Sequence, residues 1–326
     1  MSLISKIKKN YNFKIIKSMI ESNDFDGLQK TLNDHDQKDK GDYLELIHTL
    51  LNQSIQNLEC SDFFKPRALM INSFDIKDTK IVADFLKFYL DDFNIASYEH
   101  DYPKKIIELS QIYPFGLDGS FEKFIYSNYA MQFILSHQSK NQLDIIRNSF
   151  AFFDYQSTIY FTHQAFTKLF FYITKSPITT FLRYKNYFNN DSHQAFNYFF
   201  NLDDKNHLTK TDGKESFEYK QSWEINLSSW ANSNTIATFR GAILKIEDII
   251  KDETQFFSDI IAHLITNGVQ ISLDYKKIQN FIETDTFKNF IKSQEKLENN
   301  LDISNKDLKF LKKNLNGAFK DYYEID

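Results

Sequence analysis

The chain has 326 residues, 42% hydrophobic and 25% charged, with 39 basic and 44 acidic residues and a formal net charge of −5. That apolar content supports one large core or two modest domains, and the acidic balance gives no sign of a nucleic-acid or membrane-surface protein, although a local basic site stays open. Cys60 is the single cysteine, which excludes an intrachain disulfide and a cysteine-based metal site.

Met1 to Phe13 carries Lys6, Lys8 and Lys9 without an apolar core of signal-peptide length, and no apolar run approaches the roughly 20 residues of a membrane span. The expectation is a cytoplasmic protein with no membrane span and no nucleic-acid partner. Only 8 Gly and 4 Pro favour a helix-rich fold with few tight hairpins. Residues 1–60 read as a helical accessory segment: Ile15, Ile16, Met19 and Ile20 fall at helical spacing, as do Leu44, Ile47, Leu50 and Leu51. Such a segment packs on the main domain or on a protein partner. Residues 61–326 form the second unit.

That unit opens with Ala68-Leu69-Met70-Ile71, a short strand, followed by the polar stretch Asp75 to Lys80 and a helix over Ile81 to Leu90. Residues 101–150 read as mainly helical, Thr158 to Phe161 as a second strand ending at Thr162-His163, and Phe170 to Thr174 as a third. Lys175-Ser176-Pro177 then turns into a helix, since a proline in the first helical turn lacks only an N–H that would be unpaired there. A cation beside that helix start is well placed to hold an anion. Ser192 to Phe200 reads as helix, Asn201 to Phe217 as a loop or lid, and Gln221 to Trp230 as helix with Trp223 and Trp230 on one core face. A strand over Gly241 to Ile246 leads to Glu247-Asp248, placed to cap the next helix, which covers Lys251 to Ile265. Ser304 with Asp307 marks the start of a last helix running to about Tyr323. Strands alternating with helices predict an α/β layered domain with a mainly parallel sheet.

The order of these features resembles PAPS-dependent sulfotransferases, particularly their short bacterial members, over roughly residues 66–297; PAPS is 3′-phosphoadenosine 5′-phosphosulfate. Asn72 to Ile81 stands where the family has its Pro-Lys-Ser-Gly-Thr/Asn-Thr-Trp loop. Thr162-His163 matches the family's Thr-His pair, and Tyr172 to Tyr184 aligns without a gap to its Arg-Asn/Asp-Pro segment. Ser222-Trp223 to Trp230 fits the family's Ser-Trp-x-x-His-Val-x-x-Trp helix, with Asn226 at the His place. Leu244 to Ile249 matches Tyr-Glu-Asp-Leu/Met, and Phe281 to Phe287 resembles a late Ser-Phe helix.

The resemblance implies a P-loop-NTPase-like central sheet and sulfuryl transfer from PAPS to a hydroxyl or amine on a small-molecule or glycan acceptor, without a metal. It implies His163 as general base and Lys77 or Lys80 as the group that offsets charge on the bridging oxygen. Thr79 joins the loop's donors, and Lys175, Ser176 and Arg183 take the places that hold the donor's 3′-phosphate. The chain departs from the pattern in the first loop, which lacks Gly, carries Lys77 one position late and places Asp75 and Asp78 beside it. An uncompensated carboxylate about 5 Å from a phosphate costs ~3 kcal/mol at an effective dielectric near 20, part of which Lys77 and Lys80 offset. Two outcomes follow. A working cradle turns Lys77 or Lys80 into the cleft and the two aspartates away. A non-catalytic binding or interaction module on the same fold has a carboxylate in the anion site.

Overall fold

The computed structural model describes residues 66–93, 95, 97–101, 143–152, 162, 167–202, 207–211, 214–218, 221–299 and 303–323, with Lys14, Ile15 and Ser18. The accessory segment 1–60 (those three positions apart), the expected strand Thr158–Phe161 and the expected base His163 lie outside the described residues.

Five strands form one sheet: β1 (Ala68–Asn72), β2 (Ser97–Asp101), β3 (Leu143–Asn148), β4 (Thr167–Thr174) and β7 (Gly241–Lys245). Their order is β2-β3-β1-β4-β7, and every pairing is parallel. β1 is central, with Ile71 opposite Arg147 of β3 on one side and opposite Phe171 of β4 on the other. All five of its residues are buried, which is why Ala-Leu-Met-Ile runs apolar without alternation: both faces are covered.

Helix α1 (Lys80–Asp91) buries Ile81, Val82, Phe85, Leu86, Tyr89 and Leu90 at helical spacing. These meet Leu69, Ile71, Ile145, Phe171 and Ile173 on one face of the sheet. The same layer holds α7 (Glu253–Thr266), α8 (Tyr275–Ile282) and, through Phe287, α9 (Asp285–Asn299). The other face of β4 points Phe170 and Tyr172 at Trp230 of α4 (Trp223–Ala231), with ring centroids 4.9 Å and 6.5 Å apart. α5 (Ser233–Phe239) closes that layer through Phe239 on Phe152. Trp223 and Trp230 are both buried, as their spacing predicts. The remaining helices of the central region are α2 (Pro177–Tyr187), α3 (Ser192–Phe200) and α6 (Glu247–Lys251). Side-chain oxygens of Asp191, Ser222, Asn232, Asp252 and Asp274 each accept an N–H at a helix start, so local chemistry fixes where those helices begin.

Three expectations need correction. Residues 101–150 are not mainly helical where they are described: Leu143–Asn148 is strand β3, and Asp101 ends β2. The acidic and basic side chains of Asp144 and Arg147, three apart, mimic one helical turn, yet both are buried in the sheet. Asn201–Phe217 is not a plain loop, because β5 (His207–Thr211) and β6 (Lys214–Glu218) pair as an antiparallel hairpin. The Asp212-Gly213 dipeptide between them is a hairpin signal that a polar flanking sequence hides. The final helix is two helices, α10 (Asn305–Asn314) and α11 (Gly317–Tyr322), because Asn316 leaves the helix and caps the next one through the Ala318 N–H.

The C-terminal pair packs over the carboxyl end of the sheet. Phe319 and Tyr323 lie on Trp223 at 5.4 Å and 5.7 Å, and the Tyr323 and Thr174 hydroxyls share a hydrogen bond. The Lys245 ammonium stands 5.2 Å above the Tyr323 ring.

Candidate functional site

The sheet crosses over at β1: the chain first fills the β3 and β2 side, then the β4 and β7 side. Open parallel sheets bind ligands at such a point, outside the carboxyl ends of the strands. Four connections converge there. They are Ser73 to Thr79 after β1, Ser149 to Phe152 after β3, Lys175-Ser176 after β4 and Ile246-Glu247 after β7.

After β1 the chain makes a 3-10 turn over Ile76–Thr79. Asp75 starts it by accepting the Lys77 N–H at 3.0 Å, and the Thr79 hydroxyl ends it by donating to the Ile76 carbonyl at 2.6 Å. Asp75 and Asp78 are both buried. Arg183 of α2 donates from a single nitrogen, Nη1, to Asp75 Oδ2 and Asp78 Oδ1, each at 2.8 Å. Lys175, buried at the end of β4, donates to Gln294 Oε1 of α9 at 2.5 Å and lies 3.8 Å from Asp78 Oδ1. The Ser176 N–H donates to Glu247 Oε1 at 2.7 Å. Glu247 thus reaches the start of α2 as well as opening its own helix.

Burial sets the protonation tendencies. It lifts the Asp78 carboxyl above the usual aspartate range, against the pull of Arg183 and Lys175. It lifts Glu247 likewise, against its bond from Ser176 and the charge of Lys175, and it lowers the Lys175 ammonium. Burial works against the Arg183 charge too, but Asp78 and Asp75 outweigh it and hold the guanidinium firmly charged.

Phe74 fills the space beside this network. Its ring is 3% exposed and stands edge-on to Tyr184, Tyr198 and Phe199 at 5.8 Å, 6.3 Å and 5.8 Å. A side chain of that size occupies room that an anion-cradling loop leaves open with small residues. Beneath it, Asn148 donates to Asn72, Tyr172 donates to Asn226 Oδ1 at 2.8 Å, and Asn226 donates to the Ser149 carbonyl at 2.9 Å.

The structure brings Lys175, Ser176 and Arg183 to the turn that holds Thr79, and gives internal partners to the Lys175 ammonium, the Ser176 N–H, Arg183 Nη1 and the Thr79 hydroxyl. Lys80 turns away from the cleft, to Asp84 at 2.6 Å and Glu99 at 3.2 Å. Lys77 is exposed. Thr162, the residue before His163, hydrogen-bonds to Thr167 at 2.9 Å, at the end of β4 opposite Lys175. Sequence reasoning missed two members of the site. The sequence around Glu247 marks it as a cap for its own helix, and nothing there announces a partner 71 positions back. Ser149 is buried at the end of β3 with a hydroxyl that has no hydrogen-bond partner, and it was hidden by the misread strand. Among the described residues no group of His, Cys, Asp and Glu is arranged to hold a metal ion, and no helix is long and apolar enough to cross a membrane.

Neither a family model nor a curated protein sequence matches the chain.

Proposed function

We propose that the chain carries a sulfotransferase-type, P-loop-like sheet whose donor site has been closed by its own side chains, and that it serves as a binding or interaction module and not as a PAPS-dependent transferase. The observation that carries this reading is Arg183 bridging Asp75 and Asp78 at 2.8 Å each. The first-loop carboxylates sit on the cations that the resemblance reserves for phosphate. Glu247 does the same at the Ser176 N–H. An incoming phosphate has to displace the first-loop carboxylates from Arg183 Nη1 before it gains a bond there. Phe74 adds a steric obstacle, and the strand order with a central β1 supports the sheet type.

Titration calorimetry of the intact protein with adenosine 3′,5′-bisphosphate, the donor's product, tests this directly. The expected result is no binding heat at millimolar ligand. Saturable binding at micromolar concentration would overturn it.

A second reading, sulfuryl transfer with His163 as base, is favoured by one observation: Lys175, Ser176 and Arg183 do converge at the carboxyl ends of β1 and β4. It requires bisphosphate binding together with an acceptor-dependent turnover that His163→Ala abolishes.

A further inference from the structure

We propose that the cluster at the carboxyl ends of β1, β4 and β7 is a proton-controlled latch: a proton on Glu247 keeps the β4–α2 corner closed, and its loss opens that corner. The charged groups facing one another come from every element packed there. Asp75 and Asp78 come from the 3-10 turn, Lys175 and Arg183 from the β4–α2 segment, and Glu247 from α6. α9 contributes the uncharged Gln294, β4 contributes Tyr172, whose phenol burial keeps neutral, and Tyr323, just past α11, bonds to Thr174 beside Lys175 with the Lys245 ammonium over its ring. Three carboxylates therefore face two cations.

The cations are already committed. Arg183 spends one nitrogen on both aspartates, and Lys175 points at Gln294. Glu247 Oε1 has the Ser176 N–H, but its Oε2 is buried with no hydrogen-bond partner. An ionised carboxylate with a dry, unpaired oxygen is costly, and taking up a proton is the least costly remedy. Both carboxyls are lifted above their ordinary values, chiefly by burial, and the Asp78 charge adds to the rise at Glu247.

The latch has a mechanical output because the Glu247–Ser176 bond joins the start of α2 to the start of α6. With Glu247 and Asp78 both ionised, the corner carries an uncompensated negative charge that only water relieves. Water enters by parting Ser176 from Glu247. The closed state binds one more proton than the open one, so closure is complete at low pH and is lost as pH rises through the raised folded value. Between the ordinary glutamate value of 4.5 and that folded value, the opening constant rises about tenfold per pH unit.

Amide hydrogen exchange on the intact protein reads this opening. After correction for the intrinsic rate, protection at the Ser176 amide is expected to fall about tenfold per pH unit across that window. Glu247→Gln keeps the oxygen acceptor without the charge, and its protection is expected to stay level over the same range. A level profile in the unaltered protein, or an equal fall in Glu247→Gln, would overturn the latch. An infrared titration of the unaltered protein gives a second measurement that needs no variant. A protonated-carboxyl band that disappears with the same midpoint as the protection supports the latch, and its absence above pH 4.5 rejects it. The outcome is separate from nucleotide binding, which the calorimetry reads.

Discussion

Arg183 Nη1 lies 2.8 Å from Asp78 Oδ1, across the gap between two strand ends where an anion-binding fold would keep room for a phosphate. The Arg183 side chain is 16% exposed and that of Asp78 only 4%, so the pair is screened little by water. Removing one partner of such a buried pair leaves an uncompensated charge. Arg183→Met is expected to lower stability by ~3 kcal/mol or more in urea unfolding. Adding Asp75→Asn and Asp78→Asn to that variant should recover part of the loss, since the two aspartates are then neutral and only Lys175, 3.8 Å from Asp78, loses its near carboxylate. A triple variant no more stable than Arg183→Met would show that the arginine acts through packing.

The same two aspartates are expected to set how strongly an anion binds at this place. Asp75→Asn with Asp78→Asn leaves Lys175 and Arg183 as unneutralised cations at the end of β4. The double variant is expected to bind pyrophosphate about a hundredfold more tightly than the unaltered protein, with an affinity that falls as salt rises. Equal affinities by calorimetry would mean that Phe74 or Glu247, and not charge, closes the site.

Gly241 faces Phe170 across the β4–β7 pair, and a Cβ built there would lie 2.0 Å from the phenyl Cζ. Gly241→Ala forces the ring into Trp230, its neighbour at 4.9 Å. The expected cost is ~1–3 kcal/mol from overpacking, read as a lower urea midpoint. Adding Phe170→Leu, which shortens the obstructing side chain, should return part of it.

Trp230 donates its indole N–H to the Phe150 carbonyl at 2.9 Å, beneath the site and fully buried. Trp230→Phe keeps an aromatic ring but removes the shorter of two bonds to that carbonyl, Asn148 donating the other at 3.5 Å. A loss of ~1–3 kcal/mol is expected, and a stability within error of the unaltered protein would mean the carbonyl finds another donor.

Glu99 supplies an acid-side dependence. Burial alone would raise its carboxyl, but Arg147 at 2.6 Å, with Lys80 and Lys87, outweighs burial and holds it below the ordinary 4.5. A depressed folded value means that the stabilisation is present above the unfolded value and disappears as pH falls through the folded one. Glu99→Gln is expected to be less stable at neutral pH and to lose less stability on acidification. Parallel stability–pH curves for the two proteins below pH 4.5 would rule this out.

The sequence made β1, α1, β4, α2, α4, β7 and α7 legible because each has an apolar run or stripe of the right period, and Pro177 and the acidic or hydroxyl caps mark several starts. β3 was not legible: its charged Asp144 and Arg147 are buried among neighbours that only the sheet supplies, Arg147 against Glu99 of the next strand. At the site, the convergence of Lys175, Ser176 and Arg183 was readable from local order alone. Their partners were not, since Arg183 meets aspartates 105 and 108 positions away and Ser176 meets a glutamate 71 positions on. Whether a cation in a cleft awaits a ligand or already has an internal one depends on such long-range meetings.

The hydrogen bond between Thr174 and Tyr323 joins positions 149 residues apart. During synthesis the five-stranded sheet has all its strands once Lys245 has emerged, but the aromatic lid of Phe319 and Tyr323 over Trp223 forms only after residues 317–323 have followed. Until then Trp223 has the stacked Phe199 ring at 5.6 Å but lacks these two aromatic neighbours, so a chain halted before α11 leaves one face of the indole uncovered by them.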